Sequence, residues 1–344
     1  MLVDRESALE FSTKVFTFVG ATRENASIVA AHLIESSEMG LNSHGVIRIP
    51  QYVEEIEAGA IKPDATPTLV GERGCRMALD GGQCFGQVAG VTMARKAAAL
   101  AEKYGVALVT ASRFGHTGRL GAYVEILARE GLFGLAATGG SRDTSGNWVA
   151  PFGGKEGRLS TNPLAYAFPV AGGEPVVADF ATSTTAEGVI RSLRNRGLQA
   201  PPGTLRDAAG NPTTDPGALY TKPHGVIEPV GGPHYGYKGT AMAILPAVLA
   251  LLTADQPEWT PDAGGMAILA IQGGQRFAEE AGWMADYIRA STPLDPGHPV
   301  MMPGDRERAA TAASRGVNVD PPTWEALLKL ADRAKIERPS VVPD

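Results

Sequence analysis

The chain has 344 residues, 44% hydrophobic and 20% charged, which suits two domains or one large domain with an attached piece. Its net charge is −6, the two signs are interspersed, and no Lys/Arg stripe or basic tail occurs, which argues against nucleic acid or an anionic membrane as the main partner. The opening "MLVDRESALEF" lacks the order of a signal peptide, and the longest apolar run, Ala241 to Leu252, contains Pro246 and falls short of the roughly 20 residues of a bilayer span, so a cytoplasmic soluble protein is expected.

Residues 4 to about 60 read as helical. "DRESALEFSTKVFTFV" and "TRENASIVAAHLIESSEMG" place apolar residues at three- and four-residue spacing, with Asp4 and Thr22 as N-caps and Gly40 as a stop. "PQYVEEIEAGAI" is a third short helix, with Pro50 in its first turn and Gly59 at its end. After a linker, "KPDATPTLVG", short strands ("VALVTA", "LFGLAATG", "PVVADFA") mix with helices ("VAGVTMARKAAALAEKYG", "LGAYVEILAREG"). The two cysteines, in "CRMALDGGQCFG", sit on what reads as a strand, a Gly-rich turn and a second strand. That arrangement would let them face each other, although two reduced thiols suit a cytosolic protein better. "APPGTLRDAAGNPTTDPGALY" reads as a long coil excursion. Further helices follow in "GTAMAILPAVLALLT", "GGQRFAEEAGWMADYIRAS", "PGDRERAATAASRG" and "DPPTWEALLKLADRAKI". The terminal stretches, 1–65 and 300–344, are each too short to bury much apolar surface alone, so they are expected to pack together around a central α/β domain, 66–299.

Alternating strands and helices suggest a Rossmann domain, but not one Gly-x-Gly occurs among 42 glycines, so its phosphate fingerprint is absent. The P-loop pattern, H-E-x-x-H and G-x-S-x-G are absent as well, and the six histidines are scattered, so no metal site is expected.

The stretch "LNSHGVIRIPQY" puts Ser43, His44, Arg48 and Tyr52 among apolar residues. On a continuous helix His44, Arg48 and Tyr52 would share one face, although Pro50 would kink such a helix. Arginine pairs with a carboxylate through two parallel bonds, and histidine titrates near neutrality. Side by side they offer what a 2-hydroxy or 2-oxo acid needs: a clamp for its carboxylate and a proton relay for the adjacent oxygen. The plainer alternative is a capped helix with polar residues in solvent. "SRFGHTGRLGAY" sets His116 and Arg119 among glycines 115, 118 and 121 at a strand-to-helix turn, where backbone N–H groups favour an anion. "PFGGKEGRLSTNPLAYAFP" and "VVADFATSTTAEG" are candidate walls of a polar pocket, and Lys238 in "GGPHYGYKGTAMA" opens a helix where it would meet a phosphate.

In this order, "SHGVIRIPQY", "GHTGRLGAY", "PFGGKEGRLSTNP", "DFATSTTAEG", "DAAGNPTTDP", "YKG" and "PGDRER" resemble the type-2 malate/L-lactate dehydrogenase family, closest to its hydroxycarboxylate dehydrogenase branch. The resemblance covers nearly the whole chain. It implies interconversion of 2-oxo and 2-hydroxy acids with NAD or NADP, NAD slightly favoured, on a non-Rossmann α/β fold: a mixed-sheet cofactor domain plus a helical domain built from both termini. A homodimer is implied too. Carried over by motif, His44 and His116 are the proton-transfer candidates, and Ser43, Arg48 and Tyr52 would hold substrate. The cofactor positions fall on Gly118 and Arg119, on Asp179, Phe180, Ala181, Thr182 and Ser183, on Tyr237 and Lys238, and on Gly304, Asp305 and Arg306. The chain departs from the pattern at Gly188-Val189, commonly Gly-Lys, and at "GTAM", commonly a Gly-Tyr-Gly-Leu-like run. Reduction of a cyclic imine acid needs the same clamp and proton donor. A cofactor-free sugar-acid hydrolase or binding protein is the rival from another class.

Overall fold

The structure is a computed structural model and describes residues 1–140 and 146–342. It opens with a two-residue strand β1 (Leu2–Val3) and three helices, α1 (Arg5–Phe18), α2 (Arg23–Glu38) and α3 (Arg48–Glu57). Asp4 accepts the Ser7 N–H and Thr22 the Asn25 N–H, so both expected caps satisfy a donor that the first helical turn leaves over. Then come β2 (Thr68–Arg73), β3 (Arg76–Cys84), α4 (Gly86–Tyr104), β4 (Val106–Phe114), α5 (Gly121–Arg129), β5 (Leu132–Gly139), β6 (Leu164–Phe168) and β7 (Val176–Phe180). Next are α6 (Glu187–Asn195), the short strands β8 (Leu205–Arg206), β9 (Pro212–Thr213) and β10 (Val226–Ile227), and the long helix α7 (Gly232–Ala250). The chain ends with β11 (Gly265–Gln272), α8 (Gln275–Arg289), α9 (Asp305–Ala313), β12 (Val317–Asn318) and α10 (Pro321–Ala334).

Seven strands form one sheet in the order β2-β3-β4-β11-β5-β6-β7. Only β3 and β4 pair in parallel, and β11 lies antiparallel between β4 and β5, so this is a mixed sheet and no Rossmann sheet. Its central strand, "GMAILAIQ", has no period-two pattern because both faces are covered, and a continuous apolar run does not announce itself as a strand. Met266, Ile268 and Ala270 join the core shared with α4 and α5. Gly265, on the other face, lies so close to Ala250 and Thr253 that a Cβ would collide, which brings α7 across that side. At the chain's ends β1 pairs with β12, and Phe11, Val15, Phe16 and Leu33 share a core with Val317, Leu327 and Ala331.

Three expectations change. β3 runs on from Arg76 to Cys84 without doubling back, so the free thiols Cys75 and Cys84 stand at opposite ends of one strand and cannot pair. The stretch read as coil after residue 199 forms the small antiparallel sheet β10-β8-β9 around Val149, Leu205, Leu219 and Ile227. With the turn that follows it, α7 extends over Gly232–Thr253 at a mean hydropathy of 1.3, long and apolar enough by composition to cross a bilayer. Here it packs on the sheet, and the apolar run seen in the sequence is only its second half.

Candidate active site

The turn between β4 and α5 is fastened from several sides. A Cβ on Gly118, whose φ is +66°, would lie 2.3 Å from His32 Nε2 and 3.1 Å from Gln87 Nε2, so only glycine lets this turn rest on α2 and α4. The Arg119 N–H donates to His32 Nε2 at 2.9 Å, and the Gly121 N–H donates to Asp179 Oδ2 at 2.7 Å. The Tyr123 hydroxyl donates to the Thr117 carbonyl. Long-range bonds to α2 and β7 thus hold His116 in place.

His44 reaches the same spot from a 3-10 turn, Asn42–His44. Its ring stacks on that of His116, with centroids 5.7 Å apart and planes inclined by 16°. The continuous helix considered over 43–52 does not form. α3 begins at Arg48, so Pro50 sits in its first turn, where it interrupts nothing and no kink arises. Arg48 and Tyr52 still share a helical face, and they do different things. Arg48 Nε donates to the Ser43 carbonyl and Nη1 to Gln51 Oε1, both at 2.6 Å, which fixes the guanidinium and leaves Nη2 toward Gly188, where a Cβ would be 3.2 Å away. Tyr52 is buried in the core with Phe16 and Phe85. Its Oη lies 2.8 Å from His116 Nδ1 and accepts a 2.8 Å bond from Gln87 Nε2.

Burial sets the charge states. His44 is pushed down to about 4 by desolvation, then by the cations of Arg48 and Arg119. His116 falls well below the usual histidine range through desolvation and its neighbours Arg48, His44 and His32. Both rings are therefore neutral at neutral pH. Burial raises the Tyr52 phenol and the Asp179 carboxyl, the latter against the pull of the Gly121 N–H and Arg119.

Both histidines line a cavity of about 980 Å³, the upper end of the size range for small-molecule sites. Gly118, Arg119, Asp179, Phe180, Ala181 and Gly304 are on its wall. Thr182 and Ser183 lie behind it: the Thr182 hydroxyl donates to the Thr161 and Asn162 carbonyls and the Ser183 hydroxyl to that of Thr185. Tyr237 and Lys238 are exposed on the first turns of α7, away from the wall, as is Arg306 on α9. Asp305 accepts from Arg289, Arg308 and the Met302 N–H, so it closes the start of α9 while Glu307 and Arg308 face the cavity instead. Ser43, Arg48 and Tyr52 stand behind the histidines and do not line the space. Gln87 and His32 carried no signal in the sequence, because their partners are 35 and 87 residues away. No group of three or more His, Cys, Asp or Glu side chains among the described residues is arranged to hold a metal ion.

Residues 3–328 match the family model described as malate/L-lactate dehydrogenase. An L-lactate dehydrogenase from Cupriavidus necator is 32% identical, over 99% of this chain and 100% of that one. The malate dehydrogenase of Entamoeba histolytica superposes with a TM-score of 0.91 at 25% identity, covering 98% of this chain and 99% of its own. The delta1-piperideine-2-carboxylate reductase of Pseudomonas syringae pvar. tomato does so at 0.82 and 27%, covering 96% and 100%. Sequence and fold agree along the whole length: the chain belongs to the malate/L-lactate dehydrogenase family.

Proposed function

We propose that this protein is an NAD(P)-dependent oxidoreductase that interconverts a 2-hydroxy acid and its 2-oxo acid. The observation that carries the proposal is the stacked, neutral pair His44 and His116 on the wall of a large cavity, with the fixed guanidinium of Arg48 directly behind it. The cavity fits a dinucleotide by volume, and Arg119, on its wall, keeps a buried Nε without a partner among the described residues. Gly118, Arg119, Asp179, Phe180, Ala181 and Gly304 would hold the cofactor there, and Arg308 adds a second cation. A nicotinamide cofactor held there would supply the hydride acceptor or donor for C2 of the substrate.

The chain's own residues do the rest. Arg48 lies off the cavity wall, so the carboxylate has to reach past the histidines to its Nη2, which makes no hydrogen bond among the described residues. That contact fixes the face of C2 that is presented. The two imidazoles flank the oxygen on C2: one moves its proton, the other holds the oxygen by a hydrogen bond. General acid–base help of this kind is worth roughly 10²–10⁴-fold, and positioning adds to it. Glu125, Asp179, Asp262 and Glu307 on the wall outnumber Arg119 and Arg308, which disfavours a further phosphate and supports NAD over NADP. A cyclic imine acid presents the same carboxylate beside a protonatable atom, and the likeness to a piperideine-carboxylate reductase favours it as the second reading.

A panel of 2-oxo and cyclic imine acids, assayed by absorbance with NADH and NADPH, tests the proposal. Turnover of an oxo acid with NADH is expected, and turnover of imine acids alone would replace the first reading by the second. A melting temperature that neither nucleotide raises would overturn both.

A homodimer belongs to the proposal. α7 exposes Ile244, Leu245 and Val248 and α8 exposes Trp283 and Tyr287, apolar surface that a second copy would cover. Light scattering is expected to give twice the chain mass, and Val248→Arg to shift it toward the monomer.

A further inference from the structure

Gln87 is the second residue of α4 and wholly buried, and it does not line the cavity that holds the two histidines. Its Nε2 donates to Tyr52 Oη, while its Oε1 is buried with no partner among the described residues. A phenol has one proton and accepts at its oxygen. With the Gln87 N–H already on that oxygen, the phenolic proton goes to the other neighbour at 2.8 Å, His116 Nδ1. Nδ1 is then an acceptor, and the single proton of the neutral ring must sit on Nε2.

Turning the amide over would reverse every bond: Tyr52 would donate to Gln87, His116 would carry its proton on Nδ1, and Nε2 would be bare. That arrangement leaves a buried N–H group unpaired in place of a carbonyl oxygen, and orphaned buried N–H groups are the rarer of the two. Burial also holds the phenol above its usual range, so Tyr52 keeps its proton to give. His44 is held differently. Among the described residues its Nδ1 meets only the hydroxyl of half-buried Ser43, at 3.1 Å, and a hydroxyl both donates and accepts.

We propose that Gln87 is a positioning residue which, through Tyr52, locks His116 in the tautomer that carries its proton on Nε2, so that this ring offers the substrate oxygen an N–H and leaves proton exchange to His44. The proposal rests on the reading of His116 as a residue that faces the substrate, but the lock itself is a property of the free protein.

The test is nitrogen NMR on protein labelled at histidine, with the His116 signal identified by its loss in His116→Gln. The expected result is a neutral ring protonated at Nε2, whether or not any acid is turned over. In Gln87→Glu the carboxylate accepts the Tyr52 proton, and the His116 proton is expected to shift to Nδ1. In Gln87→Met, which keeps the bulk and buries no charge, the preference is expected to disappear, and turnover to fall about tenfold at nearly constant KM. A wild-type ring protonated at Nδ1 would overturn the proposal, and so would a preference that survives unchanged in both variants. A missing dehydrogenase activity with the lock intact would count against the proposed function and not against the lock.

Discussion

The two histidines stack as if equivalent, but the regions that present them differ. His116 sits on a turn fastened to α2 and β7 by bonds that span 87 and 58 residues of sequence, and its Nδ1 is tied to a buried tyrosine on α3. His44 sits on a turn held mostly by near neighbours: Ser43 at its ring, the Arg48 bond to the Ser43 carbonyl, and the Ser37 hydroxyl accepting the Val46 N–H. A ring fixed from outside keeps its proton in one place. A ring beside a hydroxyl can exchange it. The same pair thereby supplies a fixed donor and a mobile carrier, and the contrast can be broken one residue at a time.

His44→Gln is expected to cause the largest loss. It removes the proton carrier and leaves the carboxylate clamp, so turnover should fall roughly 10²–10⁴-fold while KM for the acid changes little. Because His44 is held at about 4, it is a neutral base through the neutral range, and oxidation by the parent should persist until the pH falls toward that value. Steady-state kinetics across pH would check both points. A loss no greater than that of the other substitutions would erase the division of labour.

Arg48→Lys comes next. It keeps the charge but loses the planar fork and the bond to the Ser43 carbonyl. Loss of one charge-assisted hydrogen bond costs roughly 1.5–3 kcal/mol, or about ten- to a hundredfold in kcat/KM. The defect should lie mainly in KM. An unchanged KM would show that the guanidinium only braces its own turn.

His116→Gln should cost less, about tenfold in turnover, since an amide N–H can stand where the Nε2 proton stood. A fall as deep as that of His44→Gln would mean that both rings move protons.

This ordering could not have been drawn from the sequence. The caps Asp4 and Thr22, the third helix with Pro50 in its first turn, and the glycine turn around His116 were legible, because each depends on residues within a few positions. The missing Gly-x-Gly was legible too, and it pointed correctly to another sheet topology. Tyr52 was not: its spacing from Arg48 puts both on one helical face but says nothing of a partner 64 residues on, so a buried brace read like a substrate ligand. Gln87 in "CFGQVAG" reads as an ordinary polar residue at a helix start. β11 stayed hidden because a strand covered on both faces loses its alternation.

The smallest effect on activity is expected at His32, the acceptor of the Arg119 N–H beneath the His116 turn. Burial, with Arg119 and His44 nearby, holds His32 at about 3, against an ordinary value of 6.5. Between those values the unfolded chain binds a proton that the folded chain refuses. Stability from this group is therefore complete above about pH 6.5 and drains away as the pH falls toward 3, by up to about 1.4 kcal/mol per pH unit. His44 adds a loss of the same sign that ends nearer 4. In His32→Gln the amide oxygen takes over the acceptor's place without titrating. Turnover and neutral-pH stability should stay close to the parent's, while the slope of stability against pH becomes shallower through the acid window. Denaturant melts of both proteins at pH 7, 5.5 and 4.5 would read this directly. Parallel curves would show that His32 is not the neutral, buried acceptor that anchors the turn.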